Sequence, residues 1–161
     1  MNKVVSLASS VVVVALIVLV MGGVALATNS NNLTVSAAVA PGCYFSTLNS
    51  TLSFNLDPSV GGNVVTSVSP QFWCTLGTTV TTPVLYTQGL HYSGTSNRMQ
   101  SSSNPTQFIP YSLLLTPSGT AGLGKSNPLT LTVQGTVLQA DYINALAVAD
   151  YQDSVVITIQ P

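Results

Sequence analysis

Glutamate is absent from this chain of 161 residues, and charge of either sign is scarce. Three basic residues (Lys3, Arg98, Lys125) stand against four acidic ones (Asp57, Asp141, Asp150, Asp153). A nucleic-acid binder displaces counterions with clustered Lys and Arg, and this composition excludes such a patch. Histidine occurs once, as His91, and cysteine twice, as Cys43 and Cys74. Two thiols and one imidazole do not complete a tetrahedral metal shell, so no metal or other cofactor is expected. No G-x-S-x-G nucleophile elbow occurs either. His91 sits beside Tyr92 in a polar stretch without an evident nucleophile, and an enzyme is not expected. Few charges with little apolar content would suggest disorder, but 46% of the residues are hydrophobic, which argues for a packed core. Polarity is carried by Ser, Thr, Asn and Gln, a surface that responds little to salt or pH. Scarce charge also leaves strand edges weakly protected against association.

Residues 1–27 read as a secretory signal peptide. Lys3 precedes an apolar run over residues 11–21, and Ala25-Leu26-Ala27 forms a small-residue cleavage site. An uncleaved membrane anchor is the alternative, since the stretch approaches the length that spans a bilayer. It lacks a positively charged stop-transfer flank. Cleavage before Thr28 leaves 161 − 27 = 134 residues, enough for one domain with a core. In an exported chain the two cysteines read as one disulfide, Cys43–Cys74.

After the leader, helical periodicity is missing. Short segments rich in Val, Thr, Tyr and Leu are punctuated by Gly and Pro, the pattern of an all-β sandwich. Leu33, Val35, Ala37 and Val39 alternate with smaller or more polar neighbours and share one face of a strand. Pro41-Gly42 marks a turn. Strands are expected over residues 51–56, 71–75, 83–90 and 108–116, with residues 64–65 short strand or loop. Pro110 has no N–H and suggests an edge or a bulge in its strand. Residues 91–104 and 117–128 read as loops. Residues 129–133 and 135–138 are strand-like around a bulge at Gly135, residues 140–149 a helical turn or loop, and residues 153–160 a last strand.

Taken in order, these landmarks resemble the spore coat protein U family, which includes subunits of archaic chaperone–usher pili. The residues that carry the resemblance are the alternating strand leading to Cys43, then Phe54-Asn55-Leu56-Asp57-Pro58, then Phe72-Trp73-Cys74. Asn97-Arg98-Met99, Tyr111-Ser112-Leu113, Gly135-Thr136-Val137 and a terminal strand beginning Tyr151-Gln152-Asp153 follow. The resemblance covers nearly the whole chain after the leader. It departs from the family pattern at Ala149, where a Gly is common, and at Gln160-Pro161, where a terminal aromatic is common.

The resemblance implies an incomplete immunoglobulin-like β-sandwich that lacks its last strand and is completed by a donated N-terminal strand. The segments are then a leader (1–27), an extension (28–40) and a pilin-like body (41–161). Leu33, Val35, Ala37 and Val39 become the donor residues. Val155, Val156, Ile157 and Ile159 lie on the strand beside the acceptor groove. Insertion of one strand beside another is β-augmentation. The implied partners are further copies of the chain, a periplasmic chaperone and an outer-membrane usher. The implied route is export to the periplasm and then to a cell-surface pilus serving attachment or biofilm. A spore-coat or matrix protein, or a carbohydrate-binding surface adhesin, of the same fold is the alternative.

Four further residues invite a role. Asp150 and Asp153 mimic a paired-carboxylate site, but turn capping beside Tyr151 is the expected use of both. Trp73 is expected to pack on the disulfide rather than to bind sugar. Arg98 either pairs with one of the aspartates or is exposed and idle. The patterns Asn32-Leu33-Thr34 and Asn49-Ser50-Thr51 fit glycosylation acceptors and are assigned no role.

Overall fold

The computed structural model describes residues 29–161; the leader assigned to residues 1–27 lies outside them. The chain divides into two units, one through Ala37 and one from Ala38 to Pro161. The described part of the first unit, residues 29–37, contains neither helix nor strand, and all its residues are exposed. The alternating pattern expected to form a strand therefore forms none in the single chain. No helix among the described residues is long and apolar enough to cross a membrane.

The second unit is all-β. Its strands are β1 (Cys43–Phe45), β2 (Val64–Val68), β3 (Gln71–Cys74), β4 (Leu85–Tyr86), β5 (Asn97–Ser101), β6 (Phe108–Pro117), β7 (Leu129–Val137), β8 (Tyr151–Gln152) and β9 (Ile157–Thr158). One short helix, α1 (Gln139–Tyr142), follows β7. Its Tyr142 is buried and donates its hydroxyl to the Gly62 carbonyl at 2.7 Å. Seven strands join in the order β1-β3-β7-β6-β5-β8, with β2 also on β7, while β4 pairs with β9. The sheet is open and curled, an incomplete immunoglobulin-like sandwich.

The long strand β7 organises this sheet. Leu129, Leu131, Val133, Gly135 and Val137 are all buried on one face, the period of two expected of a strand with one apolar side. One edge of β7 pairs with β6 from Leu131 to Thr136. The other is shared by β2, opposite residues 133–137, and β3, opposite Leu129 and Thr130. β2 and β3 are thus one strand path interrupted at Ser69-Pro70, where the Pro70 carbonyl still accepts from the Leu131 N–H at 2.9 Å.

Three expectations need correction. Gly135 is not a bulge, because the register runs unbroken through it on both edges, opposite Thr66 and Leu113. A Cβ there would lie 2.5 Å from Leu52 Cδ2 and 2.6 Å from Phe54 Cζ, so the glycine admits a close approach of residues 51–56. Residues 83–90 keep only two ladder residues, Leu85 and Tyr86, both exposed. Residues 97–101, expected in a loop, form β5, which buries Asn97 and Ser101. Pro110 does lie at a local edge, as expected: β6 pairs there with β5 alone and meets β7 only from Ser112 onward, so no β7 ladder bond is lost at residue 110.

Trp73 does not pack on the disulfide. Successive residues of a strand point to opposite faces, so Phe72 and Cys74 turn inward while Trp73 turns outward. Trp73 stacks instead on its cross-strand partner Tyr44, with ring centroids 4.7 Å apart. The Lys125 ammonium lies 6.0 Å from the Trp73 ring.

The core is split. One cluster gathers Phe72, Cys74, Val80, Val84, Leu129, Leu131 and Val133; the other gathers Ile109, Val137 and Tyr142. Replacing Gly135 by Val is expected to lower the urea midpoint by the equivalent of about 1–3 kcal/mol, because the added methyls must displace Leu52 and Phe54. An unchanged midpoint would show that residues 51–56 do not rest on β7.

Candidate functional site

Two segments with unpaired backbone edges flank an open side of the body. The first is residues 47–56, which continue from β1 through a bend at Leu48. Leu52, Phe54 and Leu56 are partly buried and alternate with exposed Thr51, Ser53 and Asn55, yet the run belongs to no strand. The sequence pattern of residues 51–56 is that of a strand, and the alternating burial agrees. What is missing is a neighbour to bond.

The second segment is residues 151–157, spanning β8 and β9. Tyr151, Asp153, Val155 and Ile157 face in, and the residues between them are exposed. The bonds that hold this segment leave one edge only. The Asp150 carbonyl accepts from the Ser102 N–H, the Val156 carbonyl from the Thr87 N–H, and the Gln160 carbonyl from the Thr81 N–H. All three are even-numbered. Alternate residues of an extended chain aim their backbone groups at opposite edges, so residues 153, 155 and 157 present theirs to the open side. Unpaired strand edges of this kind are templates for another strand.

Between the two segments lies a groove of about 1000 Å³. Its floor includes Val68, Met99, Tyr111, Leu113 and Val133, and its walls include Phe54, Leu56, Tyr151 and Ile157. These residues border both core clusters: Phe45, Val68, Leu113 and Ile157 pack on the first, and Phe54, Leu56, Met99, Tyr111 and Tyr151 on the second. The split core and the groove have one cause. The row of side chains that would join the two clusters is not supplied by residues 38–161.

One acidic group lines the groove. Asp153 has a side chain only 2% exposed. It does not cap a turn, as its position beside Tyr151 suggests, because its alternation in the wall points it inward. It accepts a hydrogen bond from the Tyr111 hydroxyl at 2.7 Å. Its carboxyl fills the space at Gly89, where no Cβ fits. His91 Nδ1 lies 3.5 Å from Asp153 Oδ1, and neither atom has a hydrogen-bond partner among the described residues. Arg98 pairs with no aspartate. Its Nε donates to the His91 carbonyl at 3.0 Å and its guanidinium lies 4.2 Å from the centre of the Phe108 ring. Asp150 does act as a cap, accepting from the Ser103 N–H at 2.6 Å and the Ser101 hydroxyl at 2.8 Å. Those bonds lower its pKa below the usual carboxylate value.

Burial, and then the hydrogen bond to Asp153, raise the Tyr111 phenol well above its ordinary pKa. The neutral phenol is therefore favoured in the folded state. The stability linked to it is fully present below pH about 10, where the unfolded tyrosine titrates, and declines as pH rises beyond that. Tyr111→Phe leaves a buried carboxylate without its donor and is expected to cost about 1.5–3 kcal/mol at neutral pH, measured by urea denaturation. It should also flatten the alkaline limb of the stability profile. A wild-type-like profile would show that the phenol does not hold Asp153.

The remaining expected residues fall as follows. Cys43 and Cys74 are bonded to each other; they are direct cross-strand partners of β1 and β3, with Cα atoms 4.1 Å apart. Leu33, Val35 and Val39 are 84%, 83% and 82% exposed, and Ala37 is exposed as well. Val155 and Ile157 face into the groove. Val156 reaches its rim but points outward, and Ile159 lies beyond it, against the first core cluster. The first wall and the pair Tyr111–Asp153 were not expected at the site. The alternation of Leu52, Phe54 and Leu56 was the available signal for the wall.

An all-β body with an open side, two walls whose edges toward it are unpaired and a disulfide at its first strand defines an incomplete immunoglobulin-like domain. The Spore Coat Protein U domain model matches residues 29–158. The chain belongs to this family, one of structural pilus and coat subunits rather than enzymes. A search of curated proteins returned no match.

Proposed function

We propose that this protein is an exported structural subunit that polymerises by strand donation. Residues 33–39 of one copy fill the groove of the next, and the chain of such insertions builds a surface pilus. The observation that carries the reading is the groove bounded on both sides by extended segments with free backbone edges. The same chain carries an exposed alternating segment with one apolar face.

The chemistry is non-covalent. Burying Leu33, Val35, Ala37 and Val39 is worth on the order of 5–9 kcal/mol as an upper bound, and each main-chain hydrogen bond adds about 1 kcal/mol. That sum is comparable to the stability of a whole domain, so the interface opens slowly. Insertion also joins the two core clusters. A subunit in transit needs its groove covered, which fits a periplasmic chaperone, with an outer-membrane usher at the exit and the cell surface as destination. Attachment or biofilm formation is the role such a filament serves. A spore-coat or matrix role on the same assembly chemistry is the second reading, favoured by the family's name. A carbohydrate-binding adhesin is the third; glycan binding by purified subunit would support it.

Deleting residues 28–38 from the chain tests the proposal. The truncated subunit is expected to fold and to accept a donor but to form no filaments, scored by electron microscopy and by heat-resistant multimers on gels. Filaments of normal length from the truncated chain would refute strand donation by this segment.

A further inference from the structure

Resting on the strand-donation reading, we infer the register of insertion: residues 33–39 of a second copy run antiparallel to residues 151–157, with Ala37 directly opposite Asp153.

The two stretches match in length and in period. Each is seven residues long. Four alternate residues in each share a face: Leu33, Val35, Ala37 and Val39 in the donor, and Tyr151, Asp153, Val155 and Ile157 in the wall. Every strand pairing in the body is antiparallel. Full antiparallel overlap sets Leu33 against Ile157, Val35 against Val155, Ala37 against Asp153 and Val39 against Tyr151.

The polarity and size of the side chains select this alignment over its neighbours. Directly opposite residues hold their Cβ atoms about 4.5–5.5 Å apart. Asp153 is the one acidic position in the wall, and its buried carboxyl is held by the Tyr111 hydroxyl at 2.7 Å. Ala37 is the smallest donor residue and can cover that pair without displacing it. A slip of one residue turns the apolar face of the donor outward. A slip of two sets Val35 or Val39 on Asp153 and leaves one apolar residue outside the groove. A parallel strand likewise sets Val35 on Asp153.

Cysteine pairing reads the register. Ser36 and Ser154 are opposite each other in this alignment, and Gln152, Ser154 and Val156 all point out of the wall. Three variants of the full chain combine Ser36→Cys with Gln152→Cys, Ser154→Cys or Val156→Cys. After mild oxidation of assembled material, covalent multimers are scored on gels that omit reductant. The Ser154→Cys combination is expected to give at least ten-fold more covalent multimers than either of the others. Dominance of another combination overturns the register and leaves strand donation standing. Polymer that locks through none of the three overturns donation to this wall and the register with it. A second measurement avoids added cysteines. Ala37→Leu is expected to reduce polymer at least ten-fold, and Val35→Leu to reduce it less than three-fold. Equal or reversed effects overturn the register.

Discussion

A chain carrying Val35→Asp is expected to fold, to be exported and to yield at least 100-fold less polymer than the native chain. Val35 lies at the middle of the apolar face that enters the groove in the proposed assembly. An aspartate there must shed its hydration among Val68, Leu113, Val133 and Val155, where the other ionisable groups lining the groove among the described residues are two tyrosines and the acidic Asp153. Burial of an unpaired charge costs at least several kcal/mol, and about 2.8 kcal/mol already corresponds to 100-fold. The control is Thr34→Asp. It adds the same charge one residue away, on the face turned from the groove, and should change the polymer yield by less than about three-fold. Equal losses in the two variants would show that charge in the extension matters and its face does not, which removes the support for insertion.

Loss of the disulfide should be the largest stability effect. Cys43 and Cys74 are 31 residues apart in sequence. Opening a loop of that size costs roughly 3–4 kcal/mol, a large part of the roughly 5–15 kcal/mol typical of a domain. The double variant Cys43→Ala, Cys74→Ala is expected to melt about 10–15 °C lower. There is a structural consequence too. β1 has three residues and pairs only with β3, and the groove wall of residues 47–56 continues from it. Without the bond this wall loses its anchor, so polymer yield should fall along with melting temperature. A melting temperature within 2 °C of the native value would show that β1 is held by its ladder alone.

Much of the body was legible from residue patterns. The alternation along residues 129–137 marks β7 and the pattern along residues 108–116 marks β6, because a strand buried on one face imprints a period of two. The cysteine pair was legible from the count of two and from the leader-like pattern of residues 1–27. Residues 97–101 were not, because Asn97, Arg98 and Gln100 carry no apolar alternation. Their burial comes from neighbours: Asn97 accepts from the Gly89 N–H at 2.8 Å, and the Ser101 hydroxyl donates to Asp150. The role of Gly135 was misread for a similar reason. A glycine inside a strand signals either a bulge or a close approach, and only the position of Leu52 and Phe54 distinguishes them.

Asp153 illustrates the same limit within the groove. In sequence it is one of two aspartates flanking Tyr151-Gln152, with Asp150 the other. In space the two part company: Asp150 caps the turn after β5, and Asp153 is buried against Tyr111, a residue 42 positions away.

The amino-acid order by itself determined the class of fold, the disulfide and the existence of an apolar-faced segment ahead of the body, because each is written in local period, composition or count. Only the tertiary structure decided that residues 47–56 and 151–157 stand on either side of an open groove, and that the core beneath it is divided. Pairing between strands distant in sequence depends on which edges meet, and an empty edge has no residue of its own to announce it.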